Sequence, residues 1–245
     1  IIDMKQPGVE TQPLKQMNGY ASFNQVFLTD AEVLPDFQVA ELGDGWKVAT
    51  TTLMHERRAA DSLRAWGQVP NSEGPIYDQE RAEIETTMAP YKWYPQRAGR
   101  VDLIMQRAKE TGAIKDPAVR QEIAKLMTLH KSAEWTARRA RSAQEQGKPQ
   151  GPEGSLGKLA ASNVARAAAK VHTMISGADS MLSGDDSPEN GTVAEVLISF
   201  PASSIAGGTD EIQKNIISER VLDMPKETRF DAGKPFKDIP RNTIS

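Results

Sequence analysis

Long helical periodicity in the second half of the sequence constrains the fold most. Asp116-Pro117 is a strong helix start, with the aspartate as N-cap and proline at the first helical position. One apolar face then continues, in steps of three and four residues, to a stop before Gly147. Its members are Val119, Ile123, Leu126, His130, Ala133, Ala137 and Ala140. A helix of this length must pack against other helices, which favours a bundle.

Further helices are predicted on both sides of this one. The predicted ranges are about 44–66, 78–88, 98–111, 155–176, and a last helix that follows Gly207-Gly208-Thr209 and extends to about Leu222. Between the last two, residues 177–207 are expected to form a polar, glycine-rich loop with a short apolar run, Val193–Phe200.

The first forty residues have strand character instead. Short extended pieces are predicted at Ile1–Met4, Gly8–Pro13, Tyr20–Thr29 and Glu32–Pro35. The expected class is mainly α: residues 1–42 end a β-domain, 43–224 form an antiparallel bundle of at least four helices, and 225–245 form an extended tail.

Composition excludes several kinds of site. The 245 residues contain no cysteine and three separated histidines, so thiolate chemistry and a cysteine-ligated metal are excluded and a histidine-based metal site is not expected. Thirty basic against 33 acidic residues disfavour nucleic-acid binding. With no apolar run of membrane-spanning length and no signal peptide, a soluble cytoplasmic protein is expected. The apolar start at Ile1-Ile2, without methionine, indicates that residue 1 lies inside a domain.

Glu56 occupies an anomalous position in the first predicted helix. It falls on the apolar stripe of Trp46, Leu53 and Leu63, where a carboxylate would be costly to bury. Burial would raise its pKa and suit it to act as a general base. Two alternatives remain open: an ion pair with Arg57 or Arg58, or a helix face more exposed than the stripe suggests.

The segment Gly207-Gly208-Thr209-Asp210-Glu211 opens the last helix. Glycines allow close approach of a ligand, and free N–H groups at a helix start attract an oxyanion or phosphate. The alternative is an ordinary helix cap with Thr209 as N-cap. Core or surface roles are expected for His130 and His172.

Two longer motifs then point to a family. Residues 201–225 (PASSIAGGTDEIQKNIISERVLDMP) resemble the C-terminal signature of acyl-CoA dehydrogenases, and residues 23–58 resemble the junction between that family's middle β-domain and its C-terminal four-helix bundle. The resemblance is closest to the actinobacterial branch that includes steroid side-chain dehydrogenases. It implies that this sequence lacks the family's N-terminal helical domain and the earlier half of its middle domain.

The resemblance implies FAD-dependent α,β-dehydrogenation of an acyl-CoA thioester. Many members carry the base immediately before the Gly-Thr of the C-terminal motif, where this sequence has Gly207. Other members carry a glutamate before an arginine on the first helix of the bundle, which corresponds to Glu56 and Arg57 here. The resemblance thus implies Glu56 as the base and Arg57 as a substrate-binding residue.

The remaining site residues also follow from the resemblance. Gly207 would bind the thioester carbonyl through its N–H, and Gly208, Thr209 and Glu211 would contact the flavin nucleotide. The implied partners are acyl-CoA, an electron-transfer flavoprotein and further subunits of a homo- or heterotetramer. An Arg-x-x-Phe-Gly motif that many members possess has no counterpart around 66–105. A non-catalytic partner subunit and a flavin oxidase or monooxygenase of the same fold therefore remain alternatives.

Overall fold

The chain divides into two compact units. A computed structural model describes residues 1–66, 71–148, 151–228, 231 and 233–239, of which 57–66, 153 and 236 are described by their backbone alone. The units are Ile1–Pro95 and Gln96–Ser245. No helix in these described residues is long and apolar enough to cross a membrane.

The described residues of the first unit include a small sheet and two longer helices. Strands β1 (Val9–Leu14) and β2 (Phe23–Leu28) pair antiparallel, with Val9 opposite Leu28 and Leu14 opposite Phe23. Helix α1 is Gly45–Trp66 and helix α2 is Pro75–Met88. These elements confirm the two central strands and the first two helices that the sequence predicts.

Two of the predicted extended pieces are not strands. Ile1–Met4 pairs with neither strand, and the Ile1 backbone nitrogen lies 2.8 Å from the Phe37 carbonyl oxygen. The predicted piece at Glu32–Pro35 gives way to a 3₁₀ turn, Pro35–Phe37. Proline fixes φ and has no N–H to donate to a strand ladder, so it starts the turn instead.

The second unit is helical. Its elements are α3 (Tyr94–Arg97, which begins at the end of the first unit), α4 (Val101–Glu110), α5 (Pro117–Glu145), α6 (Glu153–Ser176), α7 (Thr192–Ser199) and α8 (Asp210–Arg220). The predicted start of α5 is confirmed, because the Asp116 carboxylate accepts from the Ala118 N–H at 2.7 Å. Together, these helices and the small two-stranded sheet confirm the predicted mainly α class.

The core of this unit forms where α4, α5 and α6 meet. Ile104 on α4, Leu126 on α5 and Val171 on α6 are almost completely buried there. Glu122 and Lys170 form an ion pair at 2.9 Å that joins the start of α5 to the end of α6, so the two helices run antiparallel. The apolar face of α5 is buried only in its first half, at Val119, Ile123 and Leu126.

The expected loop over 177–207 is partly wrong. Its apolar run forms α7, and 3₁₀ turns flank that helix at Pro188–Gly191 and Phe200–Ser204. Val193 and Val196, three residues apart, are both buried and define a helical face. Periodicity in so short an apolar run does not separate a helix from a strand or loop, and burial in this unit selects the helix.

Candidate functional site

The predicted site residues fall into two groups. Glu56 and Arg57 lie on α1 in the first unit, and the Arg57 side chain is outside the described part of the chain. Gly207, Gly208, Thr209 and Glu211 lie together in the second unit, in the loop before α8 and its first turn.

Glu56 is not buried in this chain. Its side chain is exposed, and so are its stripe neighbours Trp46 (83% exposed) and Leu53 (50%). The described part of this face of α1 is largely exposed, although the stripe is apolar. The alternative of a more exposed helix face is therefore the observed one. Burial thus does not adapt Glu56 to act as a base, and its position before Arg57 in the motif is the feature that favours this role.

The loop before α8 has a backbone that suits glycine. Gly207 and Gly208 have φ angles of 73° and 97°, in the left-handed region where other residues are strained. Thr209 then takes the extended conformation of an N-cap, and its hydroxyl accepts from the Ile212 N–H at 3.3 Å. The capping role is thus confirmed. The Thr209 hydroxyl can still donate its proton to a ligand, because a hydroxyl group both accepts and donates.

Helix α6 holds this loop with a row of polar side chains. Lys158 and Ser162 both donate to the carbonyl of Ser203, the latter at 2.8 Å. One turn further along, Arg166 donates to the Ser204 hydroxyl at 2.9 Å. Burial lowers the pKa of Lys158, although the nearby Asp210 carboxylate opposes that effect. These contacts fix the chain immediately before Gly207.

Asp210 anchors the first turn of α8 to the same row. It is 5% exposed, and its carboxylate lies 3.0 Å from the Arg166 guanidinium and 3.9 Å from the Lys158 ammonium group. Burial alone would raise the pKa of Asp210, but polar neighbours that include Ser162 and Arg166 outweigh burial and hold it below its usual range. Asp210 is therefore an internal anchor, whereas the neighbouring Glu211 is exposed.

Gln213 supports the loop from inside the helix. Its side chain is 6% exposed, and its amide nitrogen donates to the Gly207 carbonyl at 3.3 Å. A Cβ on Gly208 would lie 2.5 Å from that nitrogen, so the loop backbone rests directly on the Gln213 amide.

Sequence reasoning missed these supporting residues, which are Lys158, Ser162, Arg166, Asp210 and Gln213. One signal was available: the three on α6 are spaced by four residues, which places them on one helical face. A polar row beside an apolar face indicates a second contact surface on the same helix.

His172 has the core role that the sequence predicts. It is fully buried on α6, and its Nδ1 lies 2.9 Å from the Arg107 guanidinium, which can only donate. The ring is therefore neutral with its proton on Nε2, which donates to the carbonyls of Gly99 and Arg100 at 3.1 and 3.2 Å. Burial, and then the Arg107 charge, lower the pKa of His172 to about 4.

Comparison with known proteins identifies the family. The family model for the acyl-CoA dehydrogenase C-terminal domain matches residues 97–222, which is about half of the chain. This chain belongs to the acyl-CoA dehydrogenase family. The matched residues include the Gly207–Glu211 loop and its α6 supports, whereas Glu56 precedes them. The family and fold class expected from the sequence motifs are thereby confirmed.

Two proteins with similar sequences are mycobacterial acyl-CoA dehydrogenases. Acyl-CoA dehydrogenase IpdE1 of Mycobacterium tuberculosis is 28% identical over 235 residues, 94% of this chain and 51% of that protein. Acyl-CoA dehydrogenase FadE34 of the same organism is 28% identical over 226 residues, 92% of this chain and 26% of that protein. The chain thus spans about half the length of IpdE1.

Solved structures of acyl-CoA dehydrogenases share the fold. The Tcur3481-Tcur3483 steroid ACAD superposes with a TM-score of 0.67 at 18% identity, over 93% of this chain and 52% of that one. The ChsE4-ChsE5 complex from Mycobacterium tuberculosis gives a TM-score of 0.63 at 18% identity and the same coverage. At this identity the likeness establishes the fold alone.

Proposed function

We propose that the protein to which this chain belongs catalyses the α,β-dehydrogenation of an acyl-CoA thioester, with Glu56 as the base. One observation carries the proposal. The position where many members carry the base is occupied here by Gly207, which has no side chain. Gly207 and Gly208 also adopt positive φ angles, a backbone conformation that a glutamate would rarely take. A base is then needed from elsewhere, and Glu56 before Arg57 matches the family's other placement.

Three residues of this chain have separate roles in the proposed reaction. Glu56 takes the α-proton, and the electron pair of that C–H bond forms the new double bond as a hydride leaves the β-carbon. The Gly207 N–H donates to the thioester carbonyl and thereby stabilises the charge that develops on its oxygen. Arg57 helps to position the thioester beside Glu56.

The start of α8 fits part of the family's cofactor. The Thr209 hydroxyl has a proton to donate, and the exposed Glu211 carboxylate can accept from a ribose hydroxyl or an adenine amine. Two adjacent carboxylates, Asp210 and Glu211, disfavour a phosphate group at this turn. We therefore assign the sugar or base of FAD, rather than its phosphates, to Gly208, Thr209 and Glu211. When bound, FAD would accept the hydride.

A steroid-derived acyl group is the proposed substrate class, because one structural neighbour is a steroid ACAD. An electron-transfer flavoprotein is proposed as the acceptor that reoxidises the enzyme, from the family resemblance. Both proposals concern the whole protein rather than this segment.

Substitution of the base tests the proposal. Glu56→Gln in the full protein is expected to keep the fold and bound FAD but to lose acyl-CoA-dependent bleaching of the flavin by about a hundredfold or more, since it removes general-base catalysis. Glu85→Gln on α2, another exposed glutamate of the same unit, is the matched control and is expected to bleach like wild type. Bleaching at the wild-type rate in Glu56→Gln would exclude Glu56 as the base.

A second candidate function is a non-catalytic subunit of a two-component enzyme. The missing Arg-x-x-Phe-Gly motif favours it, and so do structural neighbours whose names join two components. Co-purification with its partner and measurement of FAD per chain separate the two functions. A complex that is fully active when only the partner carries an intact glutamate would favour the non-catalytic subunit.

A further inference from the structure

Gln213 occupies an unusual position for a polar side chain. It lies in the first turns of α8, 6% exposed, yet its amide reaches back past the N-cap to the Gly207 carbonyl, 3.3 Å away. The Gly208 backbone is so close that no Cβ fits between them. The amide therefore ties the body of the helix to the loop that precedes it.

This hydrogen bond fixes the orientation of one peptide group. In a trans peptide the C=O and N–H point in opposite directions, so a Gly207 carbonyl turned towards Gln213 directs the Gly208 N–H away from it. Glycine populates both signs of φ almost equally, so a Gly-Gly pair has little intrinsic preference for either orientation. Gly207 is exposed, and among the described residues no group accepts from the N–H of Gly207 or Gly208.

We propose that Gln213 is a positioning residue for the dehydrogenation, an inference that rests on the function proposed above. Its hydrogen bond holds the Gly207–Gly208 peptide in one orientation, and this fixes the turn conformation in which the Gly207 N–H is presented to the thioester carbonyl and the Gly208 N–H to the flavin nucleotide. The row on α6 fixes the loop on its N-terminal side, at Ser203 and Ser204, and Gln213 fixes it at Gly207. Gln213 acts through this backbone and does not touch the reacting atoms.

Two substitutions of Gln213 remove the donor in different ways. Gln213→Glu keeps the size of the side chain but turns an acceptor towards the Gly207 carbonyl, and Gln213→Met keeps its length without charge. Gln144→Glu on α5 is an exposed matched control. Each variant is prepared in the full protein with its partner subunits, and thermal unfolding establishes that it is folded.

The two variants are expected to slow turnover much more than they weaken substrate binding. Both variants should lower kcat for flavin reduction by about tenfold or more, because misplaced groups lose transition-state stabilisation, while KM changes much less. A 2,2-dimethylacyl-CoA has no α-hydrogen and cannot react. The infrared shift of its carbonyl on binding should shrink in both variants and stay unchanged in Gln144→Glu.

Crystal structures of the ligand-free variants provide a readout independent of activity. A flipped or multiply oriented Gly207–Gly208 peptide in either variant would support the proposal. An unchanged peptide in both, or a folded variant with wild-type kcat and carbonyl shift, would overturn it. If wild type itself reduces no flavin with any thioester, the proposed function fails, and the peptide orientation still decides whether Gln213 positions this loop.

Discussion

The buried His172 gives the protein a pH-dependent stability of predictable sign. Protonation at Nδ1 would break the hydrogen bond that this atom accepts from Arg107. Two N–H donors would then face each other, 2.9 Å apart. Burial, and then the Arg107 charge, lower the pKa of His172 from 6.5 to about 4. As the pH falls below the unfolded value, the unfolded histidine binds a proton and the folded one does not. The contribution of His172 to the free energy of unfolding is therefore fully present above the pKa of the unfolded state, and it is lost as the pH falls towards the pKa of the folded state.

The magnitude follows from the two pKa values. Their full difference corresponds to about 3 kcal/mol, and about 2 kcal/mol of it is lost between roughly pH 7 and pH 4.5. Urea unfolding of the full protein at these two pH values measures the loss. Carboxylates also titrate in this range, so the relevant quantity is the difference between wild type and His172→Gln, which lacks the titrating ring.

The expected result is a smaller pH effect in the variant. His172→Gln should lose about 2 kcal/mol less than wild type between the two pH values, whatever its stability at neutral pH. Ser176→Ala is the matched control, because it removes another partner of Arg107 and retains the histidine. It should lower stability at both pH values alike. Equal pH effects in wild type and His172→Gln would refute the reasoning.

Two further predictions concern the loop before α8. Asp210→Asn should lower the free energy of unfolding by about 1–3 kcal/mol, because the hydrogen bond from Arg166 then no longer ends on a negative charge. In urea titrations this difference should shrink in strong acid, where the wild-type carboxylate is itself protonated. Gly208→Ala should cost more than Gly147→Ala. Both residues have positive φ, but a Cβ on Gly208 meets Gln213, whereas the space around Gly147 is open. Equal unfolding midpoints for the two alanine variants would contradict this.

Interactions between near neighbours in sequence explain the correct predictions. Asp116 and Thr209 cap N–H groups two and three residues further on, so each helix start is visible in the sequence. The buried half of the α5 face follows from helical spacing alone. The Gly207-Gly208-Thr209 motif likewise indicates the start of the last helix.

Tertiary contacts decide what the sequence left open. The stripe of α1 is apolar, yet the side chain of Glu56 is exposed, because burial depends on what packs against a face and not on its periodicity. Val193–Phe200 is too short for periodicity to assign, and its helix forms because two valines enter the core.

Local sequence is enough to place the starts of α5 and α8, the buried first half of the α5 face and the motif that resembles the family, since each depends on residues within a few positions of one another. The partners of the buried polar groups depend instead on how the chain packs. Arg107 and His172 are 65 residues apart, and Arg166 and Asp210 are 44 apart. Such pairs form because buried polar groups must find a partner wherever packing brings one, which local spacing does not specify.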